Sequence, residues 1–424
     1  MRLRPKSSLA QDTGWLLLGQ GLGYGLRLVY FIVIARLLGV LQYGIVVGAF
    51  ALVNLVAEHG RLGTGMVLLR YVSPDPKRFG PYWANTLVVT GVMSGALIVI
   101  LRLVAPHLID PASASIIVLT AVGSCFFEQI TISATQAFQA FQQMRVAAIF
   151  NQMTALARTV AAVSMLFVLH HSSARQWVLA SAFASATVTV IAVITVTTRL
   201  GWPQFTPYLV WRHAGEGAEY AFASSTTSAY NDLDKTMLSH YGMSAANGIY
   251  GMAYRIIEMG TAPLASLQLA AHPRLFQLAA DGFEGPVTLG RRLLRHGFLA
   301  SAATALCMFA FAPLIPLVVG RGFGEGVSAL RWLCLIPVFR SVHWTTGGVL
   351  TAIGLQRYRT LTQITAVILN FGLNLWLIPQ FGWRGAAWAS LATDGMLGVL
   401  NWGVLEWSAG NQGKWGCKKL QIPA

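Results

Sequence analysis

Charged residues are scarce in this chain of 424 residues. Asp, Glu, Lys and Arg together make up 11% of it, whereas hydrophobic residues make up 55%. Soluble globular domains contain about 25% charged residues, so this composition excludes an ordinary soluble domain. Together with a mean hydropathy of +0.58, it indicates a protein embedded in a membrane.

Short catalytic and nucleotide-binding motifs are also absent. The sequence has no GxxxxGK[ST], HExxH or GxSxG pattern, so nothing indicates ATP use or hydrolysis. The GxxxG spacings in LGQGLGYGLR are typical of close helix packing. The four cysteines form no CxxC pair, and we interpret them as small core residues. We therefore expect no cofactor, no metal and no enzymatic activity.

Long apolar segments recur along the whole chain. A membrane-spanning helix needs roughly 20 apolar residues to cross about 30 Å of hydrocarbon, and about twelve segments meet that length. The N-terminal MRLRPKSSLAQDTGW lacks a small-residue cleavage site, so we expect the first span to be retained. The predicted spans are 12–37, 42–69, 82–105, 112–142, 146–170, 175–198, 216–240, 244–274, 292–319, 326–354, 360–380 and 384–407.

Basic residues are distributed unevenly between the loops on the two sides. If the N-terminus is cytoplasmic, the inner loops and tails hold most of the lysines and arginines that lie outside spans. This positive-inside bias predicts that both termini lie in the cytoplasm. The net charge of +15 then reflects cytoplasmic loops that face anionic lipid headgroups. Membrane lipids are expected partners, and nucleic acid is not.

A segment near the middle of the chain differs from the spans around it. LGWPQFTPYLVWRHAGEG contains several aromatic residues, two prolines and two basic residues. This composition is typical of a linker that lies along the membrane surface. We predict a first six-helix lobe over 1–200, a cytoplasmic interfacial linker over 201–215 and a second six-helix lobe with a short cytoplasmic tail over 216–424.

The two halves share a faint glycine pattern. Glycines follow the first span and the seventh span at similar spacing, which predicts a tight turn where small residues let two helices begin side by side. Parallel internal duplication is a common plan among transporters, with the substrate site between the halves. The corresponding glycines are Gly39, Gly44 and Gly48 in the first half and Gly242, Gly248 and Gly251 in the second.

Several basic residues lie inside predicted spans. A charge at the centre of a membrane helix costs about 2.5 to 3.5 kcal/mol, so such residues normally face a watery cavity or a partner. We predict that they contribute to a substrate site, except Arg331, which lies close to a span end and fits a structural role. The intramembrane cations are Arg27, Arg61, Arg158, Lys235, Arg255, Arg331 and Arg340.

Acidic residues inside the spans have two open interpretations. They either bind Na⁺ or H⁺ in a coupled transport cycle or pair with nearby cations. Arg255 and Glu258, for example, are spaced to neutralise one another on one helix. The candidates for ion coupling are Glu58, Glu128, Asp234 and Asp394.

Polar side chains repeat at helical spacing in four predicted spans. Such stripes either bond to neighbouring helices or line a shared hydrophilic interior, and their recurrence favours the interior. The stripes begin at Gln20, Glu128, Ser224 and Gln363. The uncharged residues predicted to contact substrate are Gln20, Tyr24, Gln139, Asn231 and Asn370.

Four stretches together resemble a known family. They are IARLLGVLQYG, GTGMVLLRYVS, ANGIYGMAYRIIE and LNFGLNLWLIPQFGWRGAAWASLATDG. Their order and spacing resemble those of polysaccharide flippases of the multidrug, oligosaccharidyl-lipid and polysaccharide exporter superfamily. The resemblance extends over about residues 8 to 408.

The resemblance implies an all-α polytopic protein of the bacterial inner membrane, with about twelve helices in two lobes around a V-shaped cavity. It implies movement of undecaprenyl-pyrophosphate-linked oligosaccharides to the outer leaflet by alternating access, with a polysaccharide polymerase and assembly proteins as partners. Cations in the cavity would engage the pyrophosphate. The residues that match this role are Arg27, Arg61 and Arg255.

Three other functions stay open. A multidrug exporter would share the fold but would prefer acids in its cavity, whereas this chain has deep arginines. A peptidoglycan-precursor exporter of the same superfamily is a closer variant. A membrane oligosaccharide polymerase or ligase would generally need a sizeable outer loop, and every predicted outer loop is short.

Overall fold

The computed structural model describes residues 9–168, 172–280 and 282–410. Every regular element in these ranges is helical, and no strand occurs among them. An apolar chain inside a bilayer must satisfy its backbone hydrogen bonds internally, which an α-helix does within one segment. The predicted all-α membrane class is confirmed.

The first part of the chain forms eight helices. They are α1 Leu9–Ala57, α2 Thr64–Val72, α3 Phe79–Leu108, α4 Pro111–Ser115, α5 Ile117–Ala121, α6 Glu128–Ala140, α7 Met144–Val168 and α8 Ala174–Leu200. Two 3₁₀ turns, Glu58–Gly60 and Pro76–Arg78, and one π turn, Val122–Phe127, lie between them. Predicted spans one to six coincide with this part.

The second part forms nine helices. They are α9 Pro207–Arg212, α10 Ala214–His240, α11 Ser244–Ala280, α12 Glu284–Phe311, α13 Ile315–Val318, α14 Gly326–Leu333, α15 Ile336–Ala352, α16 Gln356–Phe381 and α17 Trp383–Gly410. The 3₁₀ turns Ala312–Leu314 and Arg321–Phe323 flank α13. Helix α9 occupies the predicted linker, and the other helices coincide with predicted spans seven to twelve.

Seven helical segments of the described chain are long and apolar enough to cross a membrane by length and composition. The first of them joins predicted spans one and two. Helices α10, α11 and α17 and the broken pair α14–α15 fall outside this group because they are more polar or shorter. The seven segments are Gly25–Val72, Pro76–Leu108, Ile117–Ala140, Met144–Val168, Ala174–Leu200, Glu284–Val318 and Gln356–Phe381.

Helix starts follow local sequence signals. Asp110 caps α4 by accepting a hydrogen bond from the Ser113 backbone at 3.0 Å, with Pro111 at the first helical position. Helix α8 begins with a capping box between Ser173 and Gln176. These contacts satisfy backbone donors that a helix start leaves unpaired.

The helices pack into two compact units, Met1–Gly248 and Ile249–Ala424. The first unit has an aromatic core between α3, α6 and α7, where Trp83, Phe138 and Phe150 are buried. The second has an aliphatic core between α11, α15 and α17, formed around Leu275, Leu350 and Leu405. The predicted lobe boundaries at 200 and 216 stay a prediction.

The glycine pattern marks a close approach of two backbones within the first unit. Gly39 has φ 67° and ψ 176°, which interrupts α1. Beyond this kink, a Cβ at Gly44 would lie 1.7 Å from the Ser244 carbonyl oxygen, and a Cβ at Gly248 would lie 2.2 Å from the Val40 carbonyl oxygen. Each glycine therefore lets the backbone of the opposite helix approach.

The contact between Gly44 and Gly248 leaves no room for a larger side chain. Gly44→Ala and Gly248→Ala should each destabilise the protein by at least about 1 to 3 kcal/mol, because the added methyl group meets backbone that has to move. The thermal unfolding midpoint of purified protein measures the effect. Gly91→Ala on α3 is the matched control, because its Cβ meets no atom within 4 Å. Equal midpoints for Gly44→Ala and Gly91→Ala would refute the close approach.

Candidate functional site

Arg61 is buried in the turn that follows α1. Its guanidinium lies 2.6 Å from Glu58 and donates to the Gln136 side chain on α6 at 3.0 Å. Leu62 and Gly63 both have positive φ and turn the chain sharply into α2. This turn leaves the whole Arg61 residue only 8% exposed, so the charge of its guanidinium depends on Glu58 for compensation.

A second ion pair joins α6 to α7. Arg158 contacts the Glu128 carboxylate and donates to the Ser185 hydroxyl on α8 at 3.3 Å. The Arg158 guanidinium also lies 5.9 Å from the centre of the Phe50 ring on α1. Four helices therefore meet at one arginine.

The π turn before α6 packs against the turn that carries Arg61. Glu128 begins α6 directly after the turn Val122–Phe127. The Ser94 hydroxyl lies within hydrogen-bond distance of both the Gly60 and Cys125 carbonyl oxygens. The turn that carries Arg61 therefore packs on the π turn that positions Glu128, and π turns occur often at functional sites.

The third pair lies on α10. The Lys235 ammonium donates to Asp232 at 2.7 Å and to the Asn231 carbonyl oxygen at 2.6 Å. Asn54 on α1 donates to the other oxygen of Asp232 at 3.2 Å. The neighbouring Asp234 is 1% exposed, and its carboxylate accepts a hydrogen bond from the Lys235 backbone amide at 2.7 Å.

The carboxylate is the more exposed partner in each of the three pairs. The exposed fractions of the side chains are 21% for Glu58 and 10% for Arg61, 24% for Glu128 and 17% for Arg158, and 16% for Asp232 and 8% for Lys235. The three charge pairs are neutral in sum. We call these six residues the first-unit charge network.

The second unit contains a more deeply buried network around Asp394 on α17. The His343 ring nitrogen Nε2 lies 3.0 Å from one Asp394 oxygen, and the Arg340 Nε lies 4.0 Å from the other. Arg340 also donates to the Tyr254 hydroxyl at 2.6 Å. Its guanidinium lies over the Tyr254 and Trp344 rings, at 5.5 and 5.8 Å from their centres. These four residues and Asp394 form the second-unit charge network.

Buried amides extend the polar interior of this unit. Asn374 donates to Asn370 at 2.8 Å, and Asn370 donates to the Thr393 hydroxyl on α17 at 3.2 Å. Asn401 on α17 donates to the His343 carbonyl oxygen and accepts from Thr362. The predicted stripe on α16 therefore bonds to a neighbouring helix, which leaves the role of Asn370 in substrate contact a prediction.

The remaining predicted residues lie nearer the surface. Arg27 and Arg255 are exposed, and Arg255 pairs with Glu258 at 2.9 Å as its spacing predicts. Gln139 and Asn231 are half-buried. The side chains of Gln20 and Tyr24 lie outside the part of the chain that the structure describes.

Sequence reasoning missed the uncharged and aromatic partners of the cations. Asn54, Gln136, Tyr254 and His343 each come from a different helix than the charge they contact. Helical periodicity relates residues only within one helix. A histidine within an apolar span was the available signal for His343. Among the described residues, no group of three His, Cys, Asp or Glu side chains could hold a metal ion.

Loss of Asp394 should destabilise the second unit strongly. Asp394→Ala removes the acid beside Arg340 and His343, and breaking a buried pair costs about 3 to 5 kcal/mol. Glu258→Ala removes an acid from a pair exposed at 50% and 37%, so it should cost less than about 1 kcal/mol. Denaturant or thermal unfolding of the two variants measures the contrast. Similar losses of unfolding free energy in the two variants would show that burial does not set the strength of these ion pairs.

The sequence matches one family of known proteins. The family model described as "Polysaccharide biosynthesis protein" matches residues 9–279, which is more than half of the chain. Among curated proteins no match was found.

The fold is similar to those of solved transporters. An inward-facing multidrug resistance transporter of the MATE family and the MOP superfamily has a TM-score of 0.75 at 13% identity, over 93% of this chain and 96% of that one. Lipid II flippase MurJ, inward closed, has a TM-score of 0.73 at 12% identity, over 93% and 87%. The MATE multidrug transporter DinF-BH has a TM-score of 0.63 at 19% identity, over 96% and 97%.

These likenesses confirm the predicted fold, and the sequence match confirms the predicted family. The MOP superfamily of the first of these transporters is the superfamily that the four sequence stretches resemble. The chain belongs to the polysaccharide biosynthesis protein family and has the fold of MOP superfamily transporters.

Proposed function

We propose that this protein is a flippase for an undecaprenyl-pyrophosphate-linked oligosaccharide. It moves this cargo from the cytoplasmic to the outer leaflet of the bacterial inner membrane by alternating access, for synthesis of a surface polysaccharide such as O-antigen or exopolysaccharide. The match of residues 9–279 to the polysaccharide biosynthesis family carries the proposal. The likeness to a lipid II flippase fold is consistent with a lipid-linked cargo.

The cargo chemistry suits the charged residues. A pyrophosphate keeps its negative charge in the membrane and needs donors that replace its water, and guanidinium groups offer two parallel hydrogen bonds. Arg27 and Arg255 are exposed, so each can contact a ligand without unfolding its surroundings. In this proposal Arg27 and Arg255 are each a pyrophosphate contact of their own unit, and Gln139 and Asn231 contact sugar hydroxyls.

The buried and half-buried cations act differently. Arg61, Arg158, Lys235 and Arg340 each have an acid beside them. Because these pairs are largely shielded from solvent, each of these cations can contact pyrophosphate only if its acid is released or neutralised. These cations therefore join the substrate site only when their ion pairs exchange partners.

This exchange offers a route to ion coupling. Protonation or Na⁺ binding at Glu58 or Glu128 would release the paired arginine for the pyrophosphate, which makes ion binding and cargo binding depend on one another. The same logic applies to Asp394 beside Arg340. Asp234 is the least exposed candidate of the first unit and would act through the position of Lys235.

A multidrug exporter is the second candidate function. In each pair of the first-unit charge network the acid is more exposed than the base. Exposed carboxylates would suit a cationic drug. Family membership favours the polysaccharide cargo, and a panel of drug-sensitivity measurements separates the two.

Complementation tests the proposed function most directly. Expression of this chain in strains that lack their O-antigen or capsule flippase should restore surface glycan in at least one of them, and analysis of the recovered glycan identifies the cargo. Restored glycan would also exclude a role limited to polymerisation, because the polymerase of those strains is intact. Restoration only in a strain that lacks its peptidoglycan-precursor flippase would assign the other cargo.

Arg27→Ala and Arg255→Ala should each abolish surface-glycan export while leaving the protein folded and inserted. Both side chains are exposed, so their loss leaves no buried acid without a partner. Glycan export and membrane-inserted protein are measured in the same cells. Arg102→Ala and Arg331→Ala are the matched controls, because these arginines are exposed residues of the same two units. Normal export by both Arg27→Ala and Arg255→Ala would refute their role.

Ion coupling makes a separate prediction. Flipping of lipid-linked oligosaccharide in proteoliposomes should accelerate under an imposed proton or sodium gradient. Glu128→Gln should abolish the acceleration, because the glutamine amide takes up no proton and lacks the negative charge that attracts Na⁺. The unfolding midpoint of Glu128→Gln is measured in parallel, so that loss of folding is not mistaken for loss of coupling. An unchanged flipping rate after both gradients collapse excludes coupling.

A further inference from the structure

A groove in the second unit combines an apolar wall with two arginines at one end. It has a volume of about 500 Å³ and is lined by Arg291, Leu294, Arg295, Phe298, Leu299, Val342 and Trp402. We propose that this groove binds an anionic glycerophospholipid of the surrounding bilayer, with the lipid phosphate on the arginines and one acyl chain along the apolar wall. The lipid is a partner distinct from the transported cargo.

The sequence of α12 builds the wall. Arg291, Leu294, Arg295, Phe298 and Leu299 follow the spacing i, i+3, i+4, i+7 and i+8, which places them on one face of the helix. The two arginines therefore lie at one end of a stripe whose remainder is apolar. A phospholipid has the same order of groups, with a charged phosphate followed by a hydrocarbon chain.

Two other helices complete the groove. Val342 on α15 and Trp402 on α17 lie across from the α12 stripe. Phe298 and Leu299 are 45% and 59% exposed, so the groove opens towards the surface of the unit. An exposed apolar groove on a membrane helix is accessible to lipid chains from the side.

Charge complementarity selects the class of lipid. Arg291 lies 3.8 Å from Glu406, with the two side chains 63% and 49% exposed. Arg295 forms no ion pair within the described ranges. The two arginines and Glu406 leave one net positive charge, which matches the single negative charge of a phosphodiester. A pyrophosphate diester carries about two, so one of its charges would lack a partner in the groove, whereas the charge of a phosphodiester is compensated.

The position on α12 agrees with this assignment. Arg291, Arg292 and Arg295 are the arginines of α12, and the positive-inside bias predicts that they lie on the cytoplasmic side. Basic pockets between membrane helices on that side bind anionic headgroups. Of the three arginines, Arg292 does not line the groove.

Fluorescence quenching tests the proposal on the full-length protein in nanodiscs. The fluorescence of Trp402 is obtained as the difference in emission between the wild-type protein and Trp402→Phe. The quenching probes are phosphatidylglycerol and phosphatidylcholine with dibrominated acyl chains. Brominated phosphatidylglycerol should quench Trp402 more strongly than brominated phosphatidylcholine. Arg295→Ala should weaken the apparent affinity about tenfold, the factor expected for the loss of one charge-assisted hydrogen bond to the lipid phosphate.

Arg292→Ala is the matched control, because it removes the same charge from the same end of α12 outside the groove. Its apparent affinity should stay at the wild-type value. Equal quenching of Trp402 by the two brominated lipids would overturn the proposal. Equal losses of apparent affinity in Arg292→Ala and Arg295→Ala would overturn it as well. Displacement of brominated phosphatidylglycerol by a polyprenyl pyrophosphate at lower concentration than by unlabelled phosphatidylglycerol would also overturn it and make the groove a cargo site.

Discussion

The buried ion pair is the interaction on which the interior of this protein depends. A charge taken out of water into a membrane protein is costly unless an opposite charge and hydrogen bonds compensate it. Arg61, Arg158, Lys235 and Arg340 each lie beside an acid of their own compact unit. Each of these cations is therefore compensated by an acid of its own unit.

Burial divides the intramembrane cations into two groups. The buried and half-buried ones are components of the packing, and truncation of one partner would leave an uncompensated charge. Arg27 and Arg255 lie nearer the surface and can contact a ligand at lower structural cost. The proposed flippase would have to change conformation without unfolding, and in that proposal the stable internal pairs and the exposed ligand contacts belong to different residues.

Small side chains provide the second constraint. Gly44 and Gly248 let two helix backbones approach more closely than any side chain would permit, and Gly39 supplies the kink that precedes this contact. Helix α10 is held to α1 by the hydrogen bond that Asn54 donates to Asp232. The glycine contact and this hydrogen bond thus hold α1 to two consecutive helices, α11 and α10.

The sequence by itself determined the helical class, the approximate positions of the helices and one short-range pair. Apolar length specifies where helices form in a membrane, and the spacing i, i+3 predicted the pair of Arg255 with Glu258. The pairs of Arg61 with Glu58 and of Lys235 with Asp232 have the same spacing but were not predicted.

The tertiary structure alone decided which distant helices share a charge. The pairing of Arg158 with Glu128, the contact of Tyr254 and His343 with the Arg340–Asp394 pair, and the groove between α12, α15 and α17 all join separate helices. Periodicity shows which face of a helix is polar, but only packing decides which face of another helix lies against it.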